Sequence, residues 1–166
     1  MPITLLRIDD RLIHGQIVEG WLRSIDVNCI IVVNNAVAGD EMQCSLYGIS
    51  VPSGIRVECL SVSEAAADIS CGKFDGYSVL LLTASPQDAL ELIMRGLKIN
   101  SINVGGMHYS PGKTQLLKSL SVNKPDVEAL KKLSALNVEL EGRVLPMDAR
   151  IDIMKIIRDF EKGESE

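Results

Sequence analysis

The chain has 166 residues, enough for one well-filled core and short for two, so a single domain is expected. Hydrophobic residues make up 46% of it but aromatic residues only 4%, a balance that suits aliphatic packing of helices against a parallel sheet. Lys and Arg number 17 against 22 Asp and Glu, and the resulting net charge of −5 argues against general nucleic-acid binding.

The first element is a strand over residues 3–8, rich in aliphatic side chains and therefore suited to burial on both faces. It stops at Asp9 and Asp10. Arg7, Asp9, Asp10 and Arg11 also interrupt the apolar segment before it reaches signal-peptide length, and no later apolar run is long enough to cross a bilayer, so a cytoplasmic protein is expected. Ile13, Ile17, Val18 and Trp21 then recur at helical spacing, predicting a helix over about 15–24. His14 and Gly15 fall at its start. That junction lies at the carboxyl end of a strand, where open parallel sheets bind ligands.

The residue types there point to phosphoryl chemistry. A helix start favours a dianionic phosphate, and Arg11 can add a bidentate guanidinium contact. A neutral His14 is a nucleophile near neutral pH, with Asp9 or Asp10 fixing its tautomer or orienting Arg11. The alternative on spacing alone is that His14 simply caps or packs the first helix.

A second buried strand is predicted over 28–33, followed by a turn at Asn34 and Asn35. A helix over 36–49 would turn Val37, Met42, Leu46 and Ile49 inward. A strand over 55–61 and a short capped helix over 63–69 come next. Residues 77–83 form the clearest central strand, ending at Thr83, with Ser85 and Pro86 opening a helix over 87–95. A strand over 102–104 runs into Gly105 and Gly106, which permit an unusual turn or close approach of a ligand but lack nucleotide-loop spacing. His108 either lines a site or is a loop histidine without a chemical role, and Lys113 is expected as a surface or partner contact. A short strand over 116–122 precedes a helix over 126–136 with Val127, Leu130, Leu133 and Leu136 as its core stripe. An edge or one-sided strand over 139–145, a helix over 148–161 with Ile151, Met154, Ile157 and Phe160 inward, and a frayed acidic tail over 163–166 complete the chain. The expected architecture is a single three-layer α/β/α domain, residues 1–162, with a mainly parallel central sheet. Cys29, Cys44, Cys59 and Cys71 are widely spaced without a C-x-x-C pair, so they are read as structural thiols and no metal site is expected.

The segment RIDDRLIHGQ, residues 7–16, resembles the active-site segment of the IIB subunits of the mannose/fructose/sorbose family of the bacterial sugar phosphotransferase system. IIVV at 30–33, PSGI at 52–55, INVGGM at 102–107, GKTQ at 112–115, LSV at 120–122 and LEGRVLP at 140–146 follow in the order that family shows. The resemblance covers essentially the whole chain. It implies a phosphocarrier in which His14 takes a phosphoryl group from a phosphohistidine on a IIA partner, on its Nδ1 nitrogen, and passes it to a sugar entering through a membrane IIC/IID permease. By the same resemblance Arg11 binds the phosphate, Asp10 orients the arginine or the loop, and Gly15 supports the site. Thr83 and Ser85 would lie near the phosphohistidine, unless they are ordinary turn hydroxyls. The donor is already an activated N–P bond, so no nucleotide, metal or other cofactor is implied. A homodimer and transient association with the membrane permease are further implications. The competing readings are a regulatory phosphoacceptor uncoupled from sugar transport and a small-molecule phosphatase or mutase.

Overall fold

The computed structural model describes residues 2–165. Seven strands form one sheet: β1 (Ile3–Asp9), β2 (Cys29–Val33), β3 (Arg56–Leu60), β4 (Val79–Thr83), β5 (Ser101–Gly106), β8 (Glu139–Gly142) and β9 (Ile151–Asp152). Their order is β3-β2-β4-β1-β5-β8-β9, parallel throughout except for β9, which runs antiparallel to β8. β6 (Thr114–Leu117) and β7 (Leu120–Val122) make a separate antiparallel ribbon.

Strand alternation divides the core in two. Ile31, Val33 and Leu81 face one layer, against α4 (Val62–Ser70), α5 (Pro86–Met94), α6 (Lys124–Ala135) and α7 (Ile153–Ser165). Ile30, Val32, Leu80 and Leu82 face the other, against the first helix and parts of α2 (Asn35–Ala38) and α3 (Glu41–Ser50). With both faces covered, β2 and β4 are wholly buried and read as continuous aliphatic runs. Local chemistry starts the helices where they are needed. Ser61 with Glu64 and Asn123 with Asp126 form capping boxes, and Ser85 caps α5 ahead of Pro86.

The first helix, α1, occupies residues 15–24 as read from the sequence, but its centre, Ile17–Trp21, is a π-helical turn that passes into α-helix at Leu22–Ser24. Other elements differ from the sequence reading. The segment 36–49 is two helices, because Asp40 accepts the Gln43 N–H as a new N-cap. With α3 set in that phase, Tyr47 packs toward the core, while Met42, Leu46 and Ile49 stand 75%, 55% and 80% exposed instead of inward. Residues 116–122 are not one strand but the turn and arms of the β6–β7 ribbon. β8 is not an edge, since β9 pairs with it, and Glu141 points into a buried polar network. Ile151 belongs to β9 and is 38% exposed, so it does not serve as a core residue of the last helix. Leu136 is the C-cap of α6 and 47% exposed, outside the core stripe. Helical bonding in α7 continues to Ser165, whose Oγ donates to Glu161 O at 2.8 Å, in place of a frayed tail over 163–165; Glu166 lies outside the described residues.

All four cysteines are unpaired, and burial pushes the Cys29 thiol up to about 11. Among the described residues no helix is long and apolar enough to cross a membrane. The central position of β1 sets its carboxyl end, and the loop that follows, in the middle of the sheet's ligand-binding edge.

Candidate functional site

Beyond β1 the chain folds back on itself. Leu12 N–H donates to Asp9 O at 2.9 Å, and Leu12 adopts a left-handed backbone with φ of 59°. Such a conformation costs a non-glycine residue on the order of 1–2 kcal/mol. Burial of the Leu12 side chain, 4% exposed in the layer under α1, offsets that cost.

The turn returns His14 over Asp9. His14 Nε2 lies 2.7 Å from Asp9 Oδ2, with the imidazole 13% exposed and the carboxylate buried. Arg7 donates to the same oxygen through Nε at 3.3 Å and Nη2 at 3.0 Å, and the Arg11 backbone N–H donates to Oδ1 at 3.1 Å. Burial pushes the Asp9 carboxyl up, but the His14 hydrogen bond, the Arg7 charge and the Arg11 N–H together hold it below the usual carboxylate range. An ionised carboxylate offers acceptors only, so the ring nitrogen facing it, Nε2, carries the proton. In the neutral ring Nδ1 then holds the lone pair. The Gln16 backbone N–H points at it from 3.4 Å.

Asp9 keeps its position because Arg7 is locked. The Arg7 guanidinium is fully buried in a strand made mostly of aliphatic residues, and burial lowers its pKa while the charges of Asp9 and Glu141 oppose that shift. Its Nη1 donates to Asn103 Oδ1 at 2.6 Å and to Arg143 O at 2.9 Å, and its Cζ lies 5.1 Å from the Trp21 ring centroid. Asn103 Nδ2 in turn donates to Glu141 Oε1 at 3.1 Å. Arg143 grips Glu141 with two bonds, at 3.0 and 2.8 Å, and lies 5.1 Å from the same Trp21 ring. Trp21 completes the connection by donating Nε1–H to Val144 O at 2.9 Å. Two arginines and two carboxylates thus balance charge within one connected network, the condition under which buried ions are tolerated.

The network explains Gly105 and Gly106. Both sit in extended strand β5, in no unusual turn, and both make room for side chains of this protein instead of a ligand. A Cβ on Gly105 would fall 1.9 Å from Arg7 Cζ, and one on Gly106 would fall 3.1 Å from Asp9 Oδ1.

Asp10 faces the other way. Its carboxylate accepts the His108 N–H at 2.7 Å and pairs with His108 Nδ1 at 2.6 Å, so it orients the loop against the end of β5 and not Arg11. Arg11 is exposed, and its Nη2 donates to Gln16 Oε1 at 2.9 Å. Gly15 is exposed, and a Cβ added there would meet nothing within 4 Å. Arg11, Gln16, Gly106, His108, Lys118 and Ser119 line an open cleft of about 460 Å³. Thr83 and Ser85 hold their own turn: Thr83 Oγ1 donates to Ser85 O at 3.3 Å, and Ser85 Oγ accepts the Asp88 N–H. Both behave as turn hydroxyls, with no bond to His14, Asp9 or Arg11. Lys113 is committed to Asp126, 3.7 Å away, and is not a free surface cation.

Sequence reasoning singled out His14, Arg11, Asp9 and Asp10; the structure adds Arg7, Asn103, Glu141 and Arg143 beneath them and Lys118 on the cleft wall beside Arg11. A usable signal was present for Arg7, a charged residue in a strand otherwise suited to burial on both faces.

Comparison with known proteins places this geometry among relatives. Residues 3–166 match the family described as PTS system sorbose subfamily IIB component. The chain is 40% identical over 162 residues to a fructose-specific EIIB component of the phosphotransferase system from Bacillus subtilis, covering 98% of this chain and 99% of that protein. It is also 40% identical to the mannose-specific EIIAB component of Escherichia coli, of which it spans 50%. The crystal structure of the IIBSor domain of the sorbose permease from Klebsiella pneumoniae superposes with a TM-score of 0.91 at 36% identity, covering 96% of this chain and 98% of that one.

Proposed function

The chain belongs to the sorbose-subfamily IIB components of the sugar phosphotransferase system, and from that premise we propose that His14 is its phosphoryl acceptor and donor. IIB components of this system are phosphotransferases of sugar transport. The observation that carries the proposal is the division of labour on the imidazole: Asp9 holds Nε2–H at 2.7 Å, which leaves the Nδ1 lone pair as the nucleophile.

In the forward step that lone pair attacks the phosphorus of a IIA phosphohistidine. A new N–P bond forms at Nδ1, and the donor's N–P bond breaks with its electron pair returning to the donor imidazole. The positive charge that develops on His14 faces the ionised Asp9, which stabilises it without accepting the proton. In the second step a sugar hydroxyl oxygen attacks the phosphorus. The N–P pair then returns to Nδ1, and the hydroxyl proton leaves to a base on the acceptor side.

Arg11 binds the equatorial oxygens in both steps, Asp10 holds the loop that carries it, and the open backbone at Gly15 lets the phosphoryl group approach. The donor N–P bond supplies the driving force, so this chemistry calls for no nucleotide or metal. The name of the mannose-specific relative, EIIAB, joins an A part to a B part, which supports a IIA protein as donor. A IIC/IID permease in the membrane is the matching acceptor, with IIB acting from the cytoplasmic side by transient docking.

The test is labelling by a purified phosphotransferase cascade. His14→Ala is expected to abolish acid-labile, alkali-stable phosphorylation while the circular dichroism and thermal unfolding of the protein stay close to wild type. Normal labelling of that variant rejects His14. Sugar phosphate formed only when a permease is added is the signature of transport coupling.

A further inference from the structure

We propose that Lys118, at the tip of the β6–β7 ribbon, is a second phosphoryl-binding cation of this site, acting with Arg11 on the group carried by His14. The inference rests on the phosphocarrier reading above. The ribbon turns at Lys118 and Ser119, between the paired residues Leu117 and Leu120. Its position is fixed by the backbone: Met107 N–H donates to Ser119 O at 2.9 Å, and Ser121 N–H donates to Met107 O at 2.8 Å. Leu120, 2% exposed, anchors the turn in the core. These bonds tie the tip to the segment just after Gly106, next to the loop that carries His14, and Lys118 lines the same cleft as Arg11 and Gln16. Gln16 is also the residue whose backbone N–H faces His14 Nδ1 from 3.4 Å, so one residue of the cleft wall touches the imidazole directly.

Charge accounting supports the assignment. A phosphoryl group on Nδ1 brings close to two negative charges to a site whose buried ions already cancel. The Arg7–Asp9 and Glu141–Arg143 pairs have nothing to spare. Asp10, the carboxylate paired with the cleft residue His108, is engaged by it. Among the described residues neither Arg11 nor Lys118 takes part in a salt bridge, and together they supply two cations to the cleft wall. An ammonium is a compact point charge with three donors, suited to bridging oxygens that a planar guanidinium leaves free.

The experiment compares wild type, Lys118→Met and Lys118→Arg with two donors: the IIA phosphoprotein, and phosphoramidate, a small donor whose own N–P bond breaks to release ammonia. Lys118→Met is expected to slow labelling from both donors about tenfold, in the maximal rate more than in the half-saturating donor concentration, with Lys118→Arg recovering most of the loss. Slowing with the IIA donor alone would make Lys118 a docking residue and overturn the inference. Wild-type rates in Lys118→Met with both donors would overturn it alone, while a wild type that accepts label from neither donor would overturn the phosphocarrier reading and this inference with it.

Discussion

Asp9 and Asp10 are consecutive in the chain and belong to two different halves of the site. The inner half, Asp9 with Arg7, Asn103, Glu141 and Arg143, is buried, charge-balanced and bonded through side chains from three strands and the segment after β8. The outer half, Asp10 with His108, Arg11 and Lys118, is largely exposed and lines an open cleft. The inner half holds the imidazole in one tautomer and one orientation, and it has no freedom to do anything else. The outer half keeps cations accessible, as the proposed relay requires of a group that arrives on one protein and leaves on another. Rigidity beneath His14 and openness beside it are separate requirements of the proposed chemistry, and the sharp turn at Leu12 separates them.

On that division, inner substitutions are expected to cost stability as well as chemistry, and outer ones chemistry alone. The largest effect is expected for Arg7→Met. It strands Asp9 as a buried charge without its arginine partner, which should cost about 3–5 kcal/mol in urea unfolding and remove labelling with it. An Arg7→Met protein as stable as wild type would mean that the inner network is dispensable.

Asp9→Asn comes next. It keeps the shape but removes the negative charge facing the imidazolium, so phosphoryl acceptance should slow about a hundredfold or more in a rapid-quench assay. The same variant tests the pH dependence. Because the folded-state pKa of Asp9 is depressed, the ionised form favours folding, and its contribution is complete above the ordinary value of about 3.9 and lost as pH falls through the lower folded-state value. Wild-type stability should therefore fall more steeply than that of Asp9→Asn as the pH drops below about 4, so that the two urea midpoints converge. Parallel curves would show that Asp9 is not held ionised.

Arg11→Ala should slow transfer about tenfold with no measurable change in stability, as expected for an exposed charge-assisted contact to phosphate. The smallest effect is assigned to His108→Ala, which loosens Asp10 but removes nothing from the nucleophile: a change of less than about twofold in labelling rate. A large loss there would move His108 from the cleft wall into the chemistry and blur the two halves.

Much of this was legible in the linear chain because it depends on neighbours in sequence. The aliphatic runs of β2 and β4, the caps at Ser61, Ser85 and Asn123, and the strand-to-helix junction at His14 are local patterns with local causes. So is the alternation of strands and helices that makes the sheet parallel. The two turned arms of the β6–β7 ribbon and the outward face of α3 differ from the sequence reading because each depends on a turn and on what the rest of the fold leaves to pack against.

What only the tertiary structure decided is which aspartate serves the histidine. Sequence spacing permits either, since the backbone can bring both within reach of His14. The choice falls to Asp9 because its side chain points inward, to an arginine whose partners Asn103 and Arg143 lie 96 and 136 residues away. No local window contains that arrangement. The same long-range geometry turns Gly105 from an apparent ligand loop into clearance for Arg7, and brings Lys118 to the cleft of Arg11. Periodicity and capping are written in short stretches of chain, whereas the pairing of buried charges is settled only when strands distant in sequence are laid side by side.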